Sequence, residues 1–231
     1  MSLYTISDLH LSLSADKSMN IFHGWDNYVE RLEANWRRLI NEKDTVVIPG
    51  DISWALKLED SLKDLKFIDS LPGKKIILKG NHDLWWGTMA KLMEFFTKNS
   101  ITTITPIFNS FVETEGVAVC GSRGWLCDNS EDSKKIVLRE AGRLEVSISA
   151  AEKAGLEPIV FMHYPPVYSD CEAPEIIEVL KKHKITTVYH GHIHGSGLHK
   201  AISERDGIAY KLVSCDCIEF TPHKIITKNS R

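Results

Sequence analysis

Short runs of apolar, mostly β-branched residues recur along the chain, and five of them are followed directly by residues whose side chains bind metals. Such runs, bounded by glycine or polar positions, are typical of buried β-strands. The five runs cover residues 4–6, 46–48, 76–78, 159–161 and 186–189. The residues that follow a strand lie at its end, so five strands in one sheet would bring all five sets to one edge.

Between the strands, apolar residues recur at the three- and four-residue spacing of an amphipathic helix. A first helix is predicted after Asp26, an N-cap residue, with Tyr28 and Trp36 on its apolar face. Further helices are predicted over 58–68, 84–96, 132–154 and 174–183, and Gly155 follows the long one as a C-terminal glycine would. Strands are predicted over 3–7, 45–48, 75–79, 101–105, 107–113, 116–120, 159–161, 186–189, 207–214, 218–220 and 224–227.

This order of elements predicts one domain over residues 1–231. No internal repeat, low-complexity tract or linker interrupts the sequence. Strands alternate with helices at first, and strand-rich stretches then follow. Helices packed outside two stacked mixed sheets account for this order. The expected fold class is therefore α/β (α+β), a four-layer α-β-β-α sandwich.

Composition excludes several classes of protein. The formal net charge of −3 shows no basic excess, so extended nucleic-acid binding is not expected. Five cysteines, an odd number, argue against a secreted disulfide scaffold and for a reducing compartment. The sequence shows neither a leader-like first segment nor a run near the ~18 apolar residues of a membrane span. A cytoplasmic protein without membrane association is expected.

The residues after the five strands form a donor set suited to metal ions. Two carboxylates, four imidazoles and one amide oxygen come from Asp8, His10, Asp51, Asn81, His163, His192 and His194. This mixture suits Mn²⁺, Fe²⁺/Fe³⁺ or Zn²⁺ better than an all-oxygen Ca²⁺ or Mg²⁺ site. Seven donors are too many for one tetrahedral ion and about right for two ions that share a carboxylate. Alternate residues leave a strand end on the same side, so His192 and His194 can each reach one ion.

The chain resembles the calcineurin-like metallophosphoesterases in five motifs that follow the family's order. They are Asp8-Leu-His10, Gly50-Asp51, Gly80-Asn81-His82-Asp83, His163 before Tyr-Pro-Pro, and Gly191-His192-Ile-His194. One such motif alone occurs by chance in many proteins, whereas five in order, each after a predicted strand, are specific. The resemblance covers residues 8–194 and implies metal-dependent hydrolysis of phosphate esters.

The resemblance also divides the donors between two metals. One metal is expected to be held by Asp8, His10 and His194. The other is expected to be held by Asn81, His163 and His192. Asp51 would bridge both.

Two further residues are catalytic candidates by this resemblance. His82 corresponds to the family's usual general acid, because an imidazolium beside two metals can protonate a leaving alkoxide. Asp83 either orients His82 or only ties down the loop.

Candidate substrate contacts lie in the loops just beyond the motifs. Trp54, Trp85 and Trp86 could stack on a base or another aromatic group, or could be packing residues. Arg123 lies in a glycine-flanked loop, where a guanidinium could hold a substrate phosphate or face solvent. His190 could support a ligand or could be a partly buried strand end.

The residues after Asp51 argue against one branch of the family. The protein Ser/Thr phosphatases have Gly-Asp-x-Val-Asp-Arg-Gly there, with an arginine that grips phosphate, whereas Asp51 is followed by Ile-Ser-Trp-Ala-Leu. The segments His-Tyr-Pro-Pro and Gly-His-Ile-His resemble bacterial phosphodiesterase-type members and phosphohydrolases of similar size. The expected function is therefore two-metal hydrolysis of small phosphate mono- or diesters, nucleotides among them, with a metal-activated hydroxide as nucleophile.

Three alternatives remain open from the sequence. The fold could serve as a catalytically silent binding scaffold, although such proteins usually have broken motifs. A protein phosphatase is disfavoured by the missing arginine. A mononuclear zinc hydrolase would leave Asn81 and two histidines unexplained. The sequence indicates no protein partner.

Overall fold

The computed structural model describes residues 1–15, 17–125 and 131–225. These residues form five α-helices: α1 (Tyr28–Leu39), α2 (Leu62–Ser70), α3 (Met89–Lys98), α4 (Glu131–Lys153) and α5 (Pro174–Lys182). They also form three short 3₁₀ helices, Met19–Ile21, Glu59–Ser61 and Gly195–Lys200.

The strands of the described residues number thirteen. They are β1 (Leu3–Thr5), β2 (Thr45–Ile48), β3 (Lys74–Ile77), β4 (Ile104–Pro106), β5 (Phe111–Thr114), β6 (Val117–Ser122), β7 (Glu157–Met162), β8 (Val167–Tyr168), β9 (Cys171–Glu172), β10 (Thr187–His190), β11 (Glu204–Arg205), β12 (Ile208–Leu212) and β13 (His223–Ile225).

Two mixed sheets organise these strands. The first has the order β13-β1-β2-β3-β4, in which β13 is antiparallel to β1 and the other pairs are parallel. The second has the order β11-β12-β10-β7-β6-β5, with antiparallel strands at both edges and parallel strands between them. Strands β8 and β9 form a separate hairpin.

Side-chain alternation along the central strands explains how the two sheets stack. In β2, Val46 and Ile48 pack with the helix-covered core of the first sheet, whereas Val47 packs in the core between the sheets. In β7, Val160 and Met162 pack with the α4 and α5 core, whereas Phe161 joins Val47. Both faces of each sheet are therefore buried, which confirms the predicted four-layer α-β-β-α sandwich.

The five motif-bearing strands are divided between the two predicted sheets and do not all lie in one. Strands β1, β2 and β3 lie in the first sheet, and β7 and β10 in the second. Backbone hydrogen bonds join the two sheets at the site: the Ser7 N–H donates to the Val213 carbonyl (2.8 Å), and the Cys215 N–H donates to the Ser7 carbonyl (3.0 Å). The five strand ends meet because the two sheets share this edge.

Several element boundaries differ from the predicted ones. Helix α1 has Asn27 rather than Asp26 at its N-cap, with φ 50° and no side-chain cap. Helix α3 begins at Met89, five residues later than predicted, because residues 84–85 form a turn, residues 86–88 are irregular, and the Thr88 hydroxyl accepts a hydrogen bond from Lys91 N. Strands β4 and β5 are shorter than predicted and shifted toward the C-terminus.

The predictions at the C-terminal end have mixed outcomes. Residues 218–220 form turns rather than a strand, with Glu219 (φ 52°) and Phe220 (φ 56°) in the left-handed region. Strand β13 ends at Ile225, and the last two residues of the strand predicted over 224–227 lie outside the described residues. Among the described helices, none combines the length and the apolar character that crossing a membrane requires.

Candidate metal centre

The backbone at the strand ends adopts conformations that ordinary residues avoid. Asp8 (φ 61°), His10 (φ 45°), Asp51 (φ 51°) and His192 (φ 74°) all lie in the left-handed region. Such conformations occur in a few per cent of non-glycine residues and concentrate at functional sites. Each turns the chain sharply after its strand, so that the following side chains point into one space.

Glycines next to these turns leave room for the carboxylates. A Cβ on Gly80 would lie 2.2 Å from Asp51 Oδ1, and one on Gly191 would lie 2.2 Å from Asp8 Oδ2. Neither contact is sterically possible, so any side chain at either position would displace a carboxylate. The Gly-Asn and Gly-His motifs therefore need glycine because the backbone passes directly behind the donor of another strand.

Three donors, here called the Asp8 group, are Asp8, His10 and His194. Their ligand atoms all lie within 4.8 Å of one another. His194 Nε2 lies 3.0 Å from Asp8 Oδ1 and 3.4 Å from His10 Nε2. The donors from the segments after β1 and after β10 therefore face one small volume.

The other donors, here called the Asn81 group, are Asn81, His163 and His192. Asn81 Oδ1 lies 2.7 Å from His163 Nε2 and 2.9 Å from His192 Nδ1. His163, His192 and Asp51 also have ligand atoms within 4.8 Å of one another.

Asp51 lies between the two groups. Its Oδ2 is 3.8 Å from His10 Nε2 in the Asp8 group and 3.5 Å from His163 Nε2 in the Asn81 group. Its Oδ1 accepts a hydrogen bond from the His82 N–H (2.8 Å). The structure thus brings all seven predicted donors together, in two clusters that could each hold a metal ion.

Three of the four donor histidines have protonation states that suit metal ligands. Burial, only partly offset by the Asp8 carboxylate, lowers the pKa of His10 and of His163 to about 3. Burial likewise lowers the pKa of His192 to about 4. These imidazoles are neutral at physiological pH and can each offer a lone pair. The residues present therefore fit a centre of two ions.

The buried carboxylates, unlike the neutral imidazoles, require a positive charge nearby. Burial, together with the Asp8 and Asp83 carboxylates, raises the pKa of Asp51 to about 9. Burial also acts to raise the pKa of Asp8, but His194, His163 and His10 together outweigh it and hold that pKa below its usual range. Two buried carboxylates this close need a proton or a cation between them.

Support for the donors comes from residues that the motifs did not indicate. The Ser214 hydroxyl donates to Asp8 Oδ2 (2.9 Å), and Asp216 Oδ1 lies 2.9 Å from His194 Nδ1. A carboxylate on the second nitrogen of a ligating histidine fixes the orientation of its ring. Asp216 stands between Cys215 and Cys217, and the sequence carries no signal for its role beyond that position. Trp25 was also missed; its ring lies 5.9 Å from that of His10.

His190 does not support a ligand directly. It is buried at the end of β10, with Nδ1 3.1 Å from the Gly191 carbonyl, and its Nε2 has no hydrogen-bond partner among the described residues. This matches the alternative of a buried strand end.

His82 and Asp83 have different surroundings. The His82 side chain is 43% exposed, and its Nε2 lies 4.0 Å from Asp51 Oδ2. Burial lowers the pKa of His82 below its ordinary value. Asp83 is fully buried and accepts hydrogen bonds from the backbone N–H groups of Gly80, Ile52 and Ser53 and from the Trp85 indole. These contacts correspond to the alternative in which Asp83 ties down the loop.

The three candidate tryptophans occupy different places. The Trp54 ring stacks on His10 with 4.8 Å between centroids and lies 4.3 Å from the His82 ring. Trp85 is 2% exposed and packs in the core, which corresponds to the alternative of a packing residue. Trp86 is also mostly buried but lies on the wall of a neighbouring cavity. Of the three, Trp54 alone touches the centre's histidines.

Arg123 is half-buried beside the centre rather than fully solvent-facing. Its carbonyl accepts a hydrogen bond from the N–H of Tyr164 (2.9 Å), the residue after His163. Its guanidinium carbon lies 5.1 Å from the centroid of the Trp125 ring.

Comparison with known proteins agrees with this geometry. The family model of calcineurin-like phosphoesterases matches residues 1–196. No curated protein gives a significant match.

Similar solved structures include a protein of unknown function from Aquifex aeolicus, with 17% identity, 96% of this chain and 95% of that chain covered, and a TM-score of 0.52. A phosphopantetheinyl hydrolase from Mycobacterium tuberculosis has 14% identity, 98% and 96% coverage and a TM-score of 0.52. A protein from Thermus thermophilus has 12% identity, 96% and 97% coverage and a TM-score of 0.60. At these identities the likeness shows a shared fold.

Proposed function

The chain belongs to the calcineurin-like phosphoesterase family, and we propose that it is a two-metal hydrolase of small phosphate mono- or diesters, nucleotides among them. The observation that carries the proposal is the meeting of seven metal donors in two clusters that share Asp51. A fold kept only for binding would have no need of this complete set.

The donors would divide as the clusters do. The Asp8 group would hold one ion, the Asn81 group the other, and Asp51 would contact both. Imidazole, carboxylate and amide donors together favour Mn, Fe or Zn. When bound, such ions lower the pKa of water to near neutrality and offset negative charge on phosphoryl oxygens.

His82 is the proposed general acid. Its half-exposed ring stands at the mouth of the centre, 4.0 Å from Asp51 Oδ2, where a leaving oxygen could approach it. An imidazolium there would donate a proton from Nε2 to that oxygen, which would otherwise depart as an alkoxide. The Trp54 ring against His82 limits its rotation, and the hydrogen bond from the His82 N–H to Asp51 fixes its backbone.

The surroundings of Asp51 support a small substrate rather than a phosphoprotein. Ile52 and Ser53, which follow Asp51, are both buried, and Trp54 covers the histidines. No arginine occurs among residues 51–60 to grip a phosphate at this position.

A cytoplasmic location is part of the proposal. Among the described residues Cys120, Cys171, Cys215 and Cys217 are free thiols, as proteins of a reducing compartment have.

The proposal is tested on purified protein loaded with Mn²⁺, with metal analysis and p-nitrophenyl phosphate and bis-p-nitrophenyl phosphate as substrates. We expect two ions per chain, hydrolysis of at least one ester, and a fall in kcat of about 10²–10⁴-fold for His82→Ala. His199→Ala, which changes an exposed histidine outside the centre, serves as the matched control. Full metal loading without hydrolysis of either ester would favour the silent scaffold.

A further inference from the structure

A cavity of about 680 Å³ lies beside the metal centre. Its walls come from the residues after β3 and β4, the end of β6, the start of α3 and the middle of α4. Lys79, on one wall, precedes Asn81 by two residues, and two residues span at most about 7 Å. Arg123, on another wall, is hydrogen-bonded through its carbonyl to the residue after His163. The cavity is therefore an immediate neighbour of the Asn81 group.

Positive charge dominates the lining of this cavity. Among the described residues its four cationic side chains are Lys79, Arg123, Arg139 and Arg143. The one carboxylate among these lining residues, Glu140, is buried, with Oε1 2.6 Å from Arg143 Nη1 and 3.6 Å from Arg139 Nε. One carboxylate against four cations leaves a local charge of +3. A concave site with this charge concentrates anions.

Arg123 also has unused hydrogen-bonding capacity. Its Nε is buried and has no partner among the described residues. A buried donor without an acceptor costs free energy. The guanidinium packs over the Trp125 ring, which holds its planar fork in place. Such a fork matches the geometry of phosphate oxygens.

The start of helix α3 also contributes positive potential to the cavity. Residues 87–90, which include the N-cap Thr88 and the first two residues of the helix, line the cavity. The first turn carries no acidic side chain. Backbone N–H groups at the start of a helix lack internal partners and favour an anion. The remaining walls include Trp86 and Phe108, which suit an apolar or aromatic body.

We infer that this cavity binds a second phosphoryl group of the substrate, while the metal centre, as proposed above, binds the phosphoryl group that is cleaved. The volume lies within the range of about 300–1,000 Å³ found for small-molecule sites. The substrate class would be small phosphoesters that carry another phosphate beyond the scissile one. Arg123, Arg139 and Lys79 would then determine specificity.

A matched pair of substrates tests this inference. Thymidine 5′-(p-nitrophenyl phosphate) and its 3′-phosphorylated derivative release the same leaving group and differ only in the second phosphate. We expect the Mn²⁺-loaded wild type to prefer the 3′-phosphorylated ester in kcat/KM by about tenfold or more. Arg123→Gln and Arg139→Gln should each reduce that preference several-fold. Lys135→Gln, which changes an exposed lysine on the same helix as Arg139, should leave it unchanged.

A binding measurement separates this inference from the proposed function. Thymidine 3′,5′-bisphosphate is titrated calorimetrically into EDTA-treated wild type and into the same three variants. We expect Arg123→Gln and Arg139→Gln to weaken binding by about tenfold and Lys135→Gln to have no effect. If the arginine variants bind the bisphosphate more weakly but no variant hydrolyses either ester, the cavity binds phosphate as inferred and the proposed hydrolysis is wrong.

Two results would overturn the inference. One is turnover of both esters at equal efficiency in the wild type and in the arginine variants. The other is bisphosphate binding that responds to Lys135→Gln as much as to Arg139→Gln, since that would show only a general effect of net charge. Thermal melts of each variant confirm folding; Arg139 is 53% exposed, so its replacement leaves the core intact.

Discussion

The two halves of the metal centre hold their donors by different means. The Asp8 group is charged: Asp8 and His194 form an ion pair at 3.0 Å, and Asp216 faces the other nitrogen of the same ring. The Asn81 group is neutral, with two imidazoles around one amide oxygen. One cluster is therefore held by an ion pair, and the other by contacts among neutral side chains.

The pKa values describe the same contrast. Burial lowers the pKa of His194, but Asp8 and Asp216 outweigh it and raise that pKa to about 10. His163 and His192, which have no such carboxylate on their second nitrogen among the described residues, keep pKa values of about 3 and 4 because burial dominates. His163 instead has the Pro49 carbonyl 3.1 Å from its Nδ1. The Asp216 side chain therefore orients the His194 ring, and the main-chain carbonyl of Pro49 orients the His163 ring.

The largest effect is expected where the two halves meet. Asp51→Ala removes the carboxylate that faces both groups, so both ions should be lost together. We expect metal content below one ion per chain and a fall in phosphoester hydrolysis of roughly a thousandfold or more. Metal analysis and initial rates measure this. Asp60→Ala, at an exposed carboxylate nine residues away, is the control. Retention of one tightly bound ion with substantial activity would show that the halves are independent.

A smaller effect is expected when only the charged half is disturbed. Asp216→Asn removes the carboxylate that orients His194, and loss of such a contact typically costs about 10–100-fold in metal affinity or activity. We expect one of the two ions to weaken by this factor while the other is retained. Titration of the metal-free protein with Mn²⁺ measures both affinities. Asp170→Asn, an exposed replacement, controls for the loss of one charge. Equal weakening of both ions would contradict the division between the halves.

The donors of both halves could be predicted from the sequence because each lies within five residues of the end of its strand. Where a β-branched run ends in Gly-Asn or Gly-His, the polar residue is expected at the end of the strand. The stacking of two sheets followed from the alternation of strands and helices. The support of the charged half was hidden, since Asp216 lies 22 residues from its partner His194. Nothing local distinguishes such a residue from an ordinary turn aspartate.

The turn after Asn81 shows why the ends of helices and strands were harder to predict than the metal donors. Leu84, Trp85 and Trp86 continue an apolar pattern that favours a helix, yet residues 84–85 form a turn and residue 86 is irregular. The cause is a set of tertiary contacts. The Asp83 carboxylate accepts hydrogen bonds from backbone N–H groups of two loops and from the Trp85 indole. Phe220 likewise packs in the core from a left-handed turn, where β propensity had indicated a strand. Local propensity gives way to such contacts.

The smallest predicted effect concerns the neutral half, whose loops Asp83 holds. This carboxylate accepts hydrogen bonds from Gly80 N (2.8 Å) on the loop that carries Asn81 and from Ile52 N (2.8 Å) on the loop that carries Asp51. In Asp83→Asn the amide nitrogen cannot accept, so one buried N–H is left without a partner. We expect unfolding in urea to require about 1–3 kcal/mol less free energy.

The same variant should weaken the Asn81-group ion more than the Asp8-group ion, since the hydrogen bonds of Asp83 go to the loops after β2 and β3 and to the adjoining Trp85. Asp26→Asn, at an exposed carboxylate, is the matched control for stability. Unchanged stability, or a metal loss confined to the Asp8 group, would mean that something other than Asp83 holds the neutral half. Loss confined to the Asn81 group would show that the backbone of these two loops positions its donors, as charge does for the other group.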